Sequence, residues 1–306
     1  MLFMKRFLTL KSAFATLAFL AFLLTSFYSF SRNINDEGSS TLNPWQAKIN
    51  KGDKEVLEKR NQFSKHFIDK DGKTSMVTSP TPIHFLSGGK WKEIDNSIQS
   101  SSVNGYGYAN ESNSFKSYFP SSYGSSPVLT KLDEGNINES IQGIYATDEE
   151  GNVVKSFNTQ TNINGQVSTN KITYKDFVSG VDIRYSMNNT GRKFDVILNS
   201  ATLLNGLPQG AKYLVLEEKL TLPKTWTVKK SDLGIDVYAG DMWLMNFPTP
   251  VAFEHQNANK KYREEREFAL NATMDYAFNN GELILKTSYD IEWLQDANRA
   301  YPVCLD

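Results

Sequence analysis

The chain has 306 residues, with 33 basic and 34 acidic side chains and a formal net charge of −1. Its cations are scattered rather than striped, which excludes an electrostatic surface for nucleic acid or anionic membrane. The only cysteine is Cys304, which excludes an internal disulfide, and a body of this length buries enough surface without one.

The N-terminus reads as an export signal. Lys5, Arg6 and Lys11 precede an apolar run from Ala13 to Leu24, broken by Thr16, and small residues follow at Ser29 and Ser31. That order predicts a signal peptide over residues 1–31, cleaved after Ser31. The alternative is an uncleaved signal anchor, for which Phe14 to Phe30 is short against the roughly 20 apolar residues a span needs. Either way the body is expected outside the cytoplasm, secreted or at the cell surface, with no membrane contact beyond this segment. Losing residues 1–31 removes three cations and no acid, which moves the formal charge to −4.

Residues 32–57 read as a polar linker. Lys54 to Phe67 has the spacing of a short, weakly amphipathic helix. Beyond it the pattern is β. Asp69-Lys-Asp-Gly72, Ser87-Gly-Gly89, Glu149-Glu-Gly-Asn152 and Asn279-Asn-Gly281 each separate short apolar runs, and such residues accept positive φ cheaply in hairpin turns. Ser100 to Ser126 is rich in Ser, Asn, Gly and Tyr and reads as a long loop or irregular strands. It is the expected boundary between an N-terminal hairpin region, 58–125, and a main sandwich-like domain, 126–306. Val181, Ile183 and Tyr185 alternate, as do Phe194, Val196 and Leu198, and Tyr213, Val215 and Glu217. Asn257 to Leu270, with the charged run Lys260-Lys-Tyr-Arg-Glu-Glu-Arg-Glu267, fits an exposed strand or a helix. The predicted class is all-β, mainly antiparallel, with sandwich-like or hairpin-rich sheets behind a signal helix.

Patterns that carry chemistry are few. The histidines are His66, His84 and His255, with no His-Glu-x-x-His motif, and one cysteine permits no Cys-x-x-Cys. His84 reads as a hydrogen-bonded structural side chain. The Asp69–Gly72 turn lacks the first calcium-loop ligand, because Phe67 stands there. Gly72-Lys-Thr74 and Gly89-Lys90 lack the earlier phosphate-loop glycines, whose places hold Phe67 and His84. Asp176 with Asp182, or Glu93 with Asp95, can be drawn as an acid–base pair, although two acids on a solvent face are commoner. Cys304, with no histidine within forty residues, reads as a buried apolar side chain. No catalytic residue, metal site or cofactor is expected. Trp45, Trp91, Trp226, Trp243 and Trp293, with the Tyr-rich segment, can offer a stacking platform for a glycan, though large aromatics more often fill cores.

Several stretches carry a resemblance. Arg60-Asn-Gln-Phe-Ser-Lys-His-Phe, Asp71-Gly-Lys-Thr, Pro82-Ile-His-Phe and Gly89-Lys-Trp-Lys-Glu-Ile-Asp95 form the first group. Tyr174-Lys-Asp-Phe-Val-Ser-Gly-Val-Asp-Ile-Arg-Tyr185, Lys193-Phe-Asp-Val-Ile-Leu198 and Tyr301-Pro-Val-Cys-Leu-Asp306 form the second. Together they resemble the N-terminal β-rich module of large secreted bacterial wall-associated proteins that carry Rhs/YD repeats or DNRLRE-type domains. The resemblance spans about residues 58–306 and implies an exported structural or leader module. Its partners would be downstream domains of a larger polypeptide or cell-surface components, and it supplies no catalytic residue. The resembling proteins continue past the equivalent of Asp306, which makes this chain either a shortened leader or a stand-alone copy. A glycan-binding adhesin is the alternative reading, and a secreted glycan-active hydrolase the third.

Overall fold

Turn chemistry sets the first elements of this computed structural model, which describes residues 52–254, 268–269 and 272–306. The expected signal segment, Trp45, His255 and the whole charged run over residues 260–267 lie outside the described residues. β1 (Lys54–Glu55), β2 (Ser64–Ile68) and β3 (Thr74–Thr78) form a small antiparallel sheet with β2 in the centre. A short 3-10 turn, Leu57–Lys59, replaces the helix expected over Lys54 to Phe67. The chain doubles back there: Val56 N–H bonds the His66 carbonyl, and the Asn61 side chain accepts from Phe63 N. Asp69 closes the β2–β3 tip by accepting from the amides of Asp71 and Lys73. β4 (His84–Ser87) and β5 (Lys90–Glu93) form the hairpin turned by Gly88 and Gly89, both at positive φ. Trp91 pairs with Leu86 on the face shared by His84 and Glu93.

The next strands are β6 (Gln99–Ser100), β7 (Tyr108–Asn110), β8 (Lys116–Phe119), β9 (Ser122–Tyr123), β10 (Val128–Leu132), β11 (Gly135–Thr147) and β12 (Val153–Ser156). β13 (Ile163–Asn164) pairs back onto β9. A meander follows: β14 (Gln166–Ser168), β15 (Lys171–Val178), β16 (Val181–Met187) and β17 (Arg192–Leu198). After β18 (Tyr213–Thr221) comes a second meander of β19 (Trp226–Ser231), β20 (Gly234–Ala239) and β21 (Met242–Pro248). The remainder is β22 (Ala252–Glu254), β23 (Phe268–Ala269), β24 (Thr273–Asn279), β25 (Glu282–Asp290), the one-turn helix α1 (Ile291–Leu294) and β26 (Val303–Leu305).

Three sheets carry the body. A nine-stranded sheet runs β24-β25-β18-β11-β10-β8-β7-β6, with β12 also on β11. A seven-stranded sheet runs β14-β15-β16-β17-β26-β22-β23, and β19-β20-β21 form a three-stranded sheet. The fold is all-β and antiparallel, as the alternation predicts. The boundary expected near residue 125 does not divide it: β7 and β8 are hydrogen-bonded into the sheet of β10 and β11, and residues 54–306 form one compact unit. The Tyr-rich stretch carries short strands joined by turns, with Tyr118 and Tyr123 buried. No helix of the described residues is long and apolar enough to cross a membrane.

Two cores sit on one face of the large sheet. In the first, Val128, Ile144, Ala146, Leu214, Leu216 and Tyr289 meet Ile172, Tyr174, Ile183, Tyr185, Val196 and Leu198 of the seven-stranded sheet. In the second, Ile137, Leu220, Leu283 and Leu285 meet Trp226, Ile235 and Val237 of the three-stranded sheet. Each fully buried large apolar side chain contributes about 1.5–3 kcal/mol. Tyr213, Val215 and Glu217 are therefore not the main core face of β18. Its even-numbered leucines are.

Gly234 shows how tightly the second core is closed. Its φ is +133°, and a Cβ there would stand 2.0 Å from the Phe247 carbonyl oxygen. Gly234→Ala is expected to cost roughly 2–4 kcal/mol and to lower Tm by about 5–15 °C. Gly191→Ala, where a Cβ meets nothing within 4 Å, should leave Tm within about 2 °C of the parent in the same calorimetric scan.

Candidate functional site

Between the two cores the large sheet carries a polar seam. The register Glu139↔Leu220 and Ile141↔Glu218 puts both glutamates on the inward face. Thr130 joins them from β10, opposite Ile137. Arg192, at the start of β17, reaches in from the second sheet. It donates to Thr130 Oγ1 at 2.6 Å and makes a short contact with Glu139 Oε2. Its guanidinium also lies 5.2 Å from the Tyr185 ring centre, and Tyr123 Oη accepts from Ile141 N.

Glu139 is buried, and its Oε1 has no partner among the described residues. Glu218 keeps some exposed surface although its carboxyl is enclosed by protein. Burial first, and then the Glu139 carboxylate, push the Glu218 carboxyl up to about 8, against the pull of Arg192. One cation thus serves two carboxyls, and at neutral pH the pair holds a proton. Such a pair has the composition of an acid–base site, but neither glutamate lines either of two shallow depressions that lie elsewhere. One of about 540 Å³ lies beside Lys212, Ile291 and Gln295, and one of about 360 Å³ beside Ala277, Asn280 and Glu282.

A second cluster joins the small N-terminal sheet to the β4–β5 hairpin. Arg60 donates to both carboxylate oxygens of Glu55 at 2.6 and 2.7 Å, and to Glu93 Oε1 at 2.8 Å. Lys65 Nζ lies 2.7 Å from the same Glu93 oxygen. The Arg60 hydrogen bond holds the Glu55 carboxyl below its usual range. His84, directly opposite Glu93, is 1% exposed, and its Nδ1 lies 2.6 Å from the Asn61 carbonyl oxygen. Burial depresses its pKa, which favours the neutral ring.

The third arrangement is the outer face of the three-stranded sheet. Trp243 pairs with Tyr238, and Asp236 with Asn246, all on the side away from the core. Trp243 Nε1 and Asn246 Nδ2 each donate to Asp236 Oδ1 at 2.9 Å. Trp243 is 55% exposed, unlike Trp226 at 2%, while Trp91 and Trp293 are half-buried. Trp293 stacks against Arg299, with the guanidinium 3.7 Å from the ring centre.

The acid pairs drawn from sequence have structural tasks. Asp182 Oδ1 accepts from Asp176 N, and Asp176 Oδ1 from Gly180 N, which fixes the bulged β15–β16 turn. Glu93 is tied to Arg60 and Lys65, whereas Asp95 lies beyond the end of β5 and accepts from Ser97 N. Cys304 is fully buried in β26, and burial raises its thiol to about 12. A charged network lies beside it: Asp195 takes Arg184 at 3.0 Å and Lys193 at 3.0 Å, and Lys193 also reaches Asp306 at 2.9 Å. Sequence reasoning singled out none of Glu139, Glu218 or Arg192. Alternation alone does not place them, because β11 changes parity at its bulge and both faces of β18 carry apolar residues.

Comparison with known proteins gives no matching family model, no matching curated protein and no matching solved structure.

The seam makes stability pH-dependent with a definite sign. An acid whose folded pKa of about 8 lies above its unfolded value of 4.5 binds more protons when folded. Its contribution is favourable at low pH and is lost as pH rises between those values. Glu218→Gln should therefore raise Tm over the parent by roughly 4–8 °C at pH 8.5, corresponding to about 2 kcal/mol after allowance for partial solvent access. The two proteins should melt nearly together at pH 4.5. Equal gains at both pH values would show that Glu218 ionises normally.

Proposed function

We propose that this chain is an exported β-module, secreted or held at the cell surface, that serves as a structural or leader element and has no catalytic activity of its own. The signal-like N-terminus and the resemblance to wall-associated Rhs/YD-type modules support this reading. The observation that carries it is the closure of the polar clusters. Arg192 occupies the Glu139–Glu218 seam, Arg60 and Lys65 span Glu55 and Glu93, and Asp176 and Asp182 fix a turn. A hydrolytic pair needs its carboxyls open to a substrate across a cleft, whereas Glu55, Glu93, Glu139, Asp176 and Asp182 are engaged in joining elements and Glu218 shares Glu139's enclosed seam.

A test uses the purified full chain with soluble and insoluble polysaccharides and with peptidoglycan. The expected result is no release of reducing ends above a heat-treated control. Turnover that survives repurification and disappears in Glu139→Gln would sink the structural reading.

Binding of a glycan is a second reading, and Trp243 favours it. An exposed indole flanked by Tyr238, with Asp236 and Asn246 beside it, offers an apolar ring face and hydrogen-bonding groups for hydroxyls. The Trp243 indole N–H holds the Asp236 carboxyl below its usual range, which keeps an acceptor beside the ring at neutral pH. Trp243→Ala should weaken retention on a binding polysaccharide at least tenfold, about 1.4 kcal/mol, without moving Tm by more than about 2 °C. Unchanged retention in affinity electrophoresis would remove this reading and leave the first intact.

A further inference from the structure

We propose that Glu55, His84 and Glu93 form a binding site for a divalent transition-metal cation, with Zn²⁺ the best chemical match. A ring nitrogen of His84 and one carboxylate oxygen from each glutamate all lie within 4.8 Å of one another. Ligand atoms around a tetrahedral zinc stand about 3.3 Å apart, given metal–ligand distances near 2.0–2.2 Å. The three groups therefore need only a small contraction. They come from β1, β4 and β5, and His84 and Glu93 are directly paired across the hairpin.

The histidine supplies the independent argument. Its Nδ1 faces the Asn61 carbonyl at 2.6 Å, which fixes the proton on Nδ1 and leaves a lone pair on Nε2. A main-chain carbonyl behind one nitrogen is the usual support for a histidine that ligates through the other. Nε2 is buried and has no partner among the described residues. Leaving such an atom unpaired costs about 1–3 kcal/mol, and a metal ion would remove that cost. A nitrogen with two carboxylates suits zinc, whereas calcium and magnesium favour all-oxygen shells.

Charge and access complete the argument. Arg60 and Lys65 now neutralise the two glutamates. Arg60 grips Glu55 with two hydrogen bonds and can remain there as an outer partner. Lys65 makes a single contact to Glu93 Oε1, an oxygen that also accepts from Arg60 at 2.8 Å. A dication would displace the lysine, whose flexible stem can turn its ammonium out to water. The Glu93 side chain is 52% exposed, which gives the hydrated ion a way in. Water would fill the remaining coordination position.

The test is calorimetric titration of the metal-free full chain with ZnCl₂ at neutral pH, repeated with excess MgCl₂. One saturable equivalent is expected, and it should resist the magnesium. Glu93→Gln should weaken binding at least tenfold. Lys65→Met should strengthen it several-fold, because it removes one of the two cations on Glu93, an effect that a purely structural ion-pair network does not predict. Both side chains are removed without emptying a core, and His84→Ala is therefore unnecessary. The proposal is overturned if no saturable zinc binding occurs, if magnesium displaces it, or if binding ignores both substitutions.

Discussion

On β11 the inward-pointing side chains change from odd to even numbers at the register shift between Ile141 and Gly143. Before it, Ile137, Glu139 and Ile141 face the core side; after it, Ile144 and Ala146 do. On the neighbouring β18, Leu214, Leu216, Glu218 and Leu220 keep a single parity throughout. A strand with strict period two would have sent one of these sets to the opposite face. The extra residue of a bulge corrects the phase and bends the strand. With it, one continuous sheet can pack a seven-stranded layer at one end and a three-stranded layer at the other. The two cores and the seam between them all depend on that correction.

The polar seam is a consequence of serving two partners. Between the side chains that the two covering sheets pack, the face of β11 and β18 turns polar, with Glu139 buried and Glu218 partly exposed. Arg192 crosses there to reach one of them. The remaining carboxyl cannot find a second cation there and keeps its proton instead. This is an expensive use of buried polar groups compared with aliphatic packing. It does, however, tie an interior strand of one sheet to interior strands of another through charge-assisted contacts that have a defined direction. The Asp195 network beside Cys304 works differently. Asp195 has both Arg184 and Lys193 within 3.0 Å, an excess of cations that Asp306 shares.

How far sequence reasoning reached follows from distance along the chain. The hairpins at Asp69–Gly72, Gly88-Gly89 and Asn280-Gly281 were legible because a turn states its backbone demand within two or three residues. The burial of Cys304 was legible because its neighbours are apolar. The face of β18 was not, since Tyr213 and Val215 look as apolar as Leu214 and Leu216, and only the bulged partner decides between them. Nor was the continuity of the large sheet across residue 125, because Ser- and Asn-rich strands such as β7 and β8 carry a composition typical of loops. The clusters were the least legible. Glu55, His84 and Glu93, or Glu139, Arg192 and Glu218, meet only after strands remote in sequence have paired. Similarly, five tryptophans share one composition, yet strand parity alone puts Trp226 in a core and Trp243 in water.

The place of β26 bears on the order in which the molecule can be completed. Val303–Leu305 lies between β17 and β22 in the interior of the seven-stranded sheet, not at its rim. A chain made from its N-terminus delivers β14 to β17 more than a hundred residues earlier. Until β26 arrives, β17 presents an open row of amides and carbonyls, with Val196 and Leu198 beside it. Such an edge invites pairing with the wrong chain. Any species in which β14 to β17 have formed before β26 has docked would expose that edge. Escort by a holding factor, or delivery of the polypeptide faster than neighbours can find that edge, would bear directly on how much of it reaches its finished form.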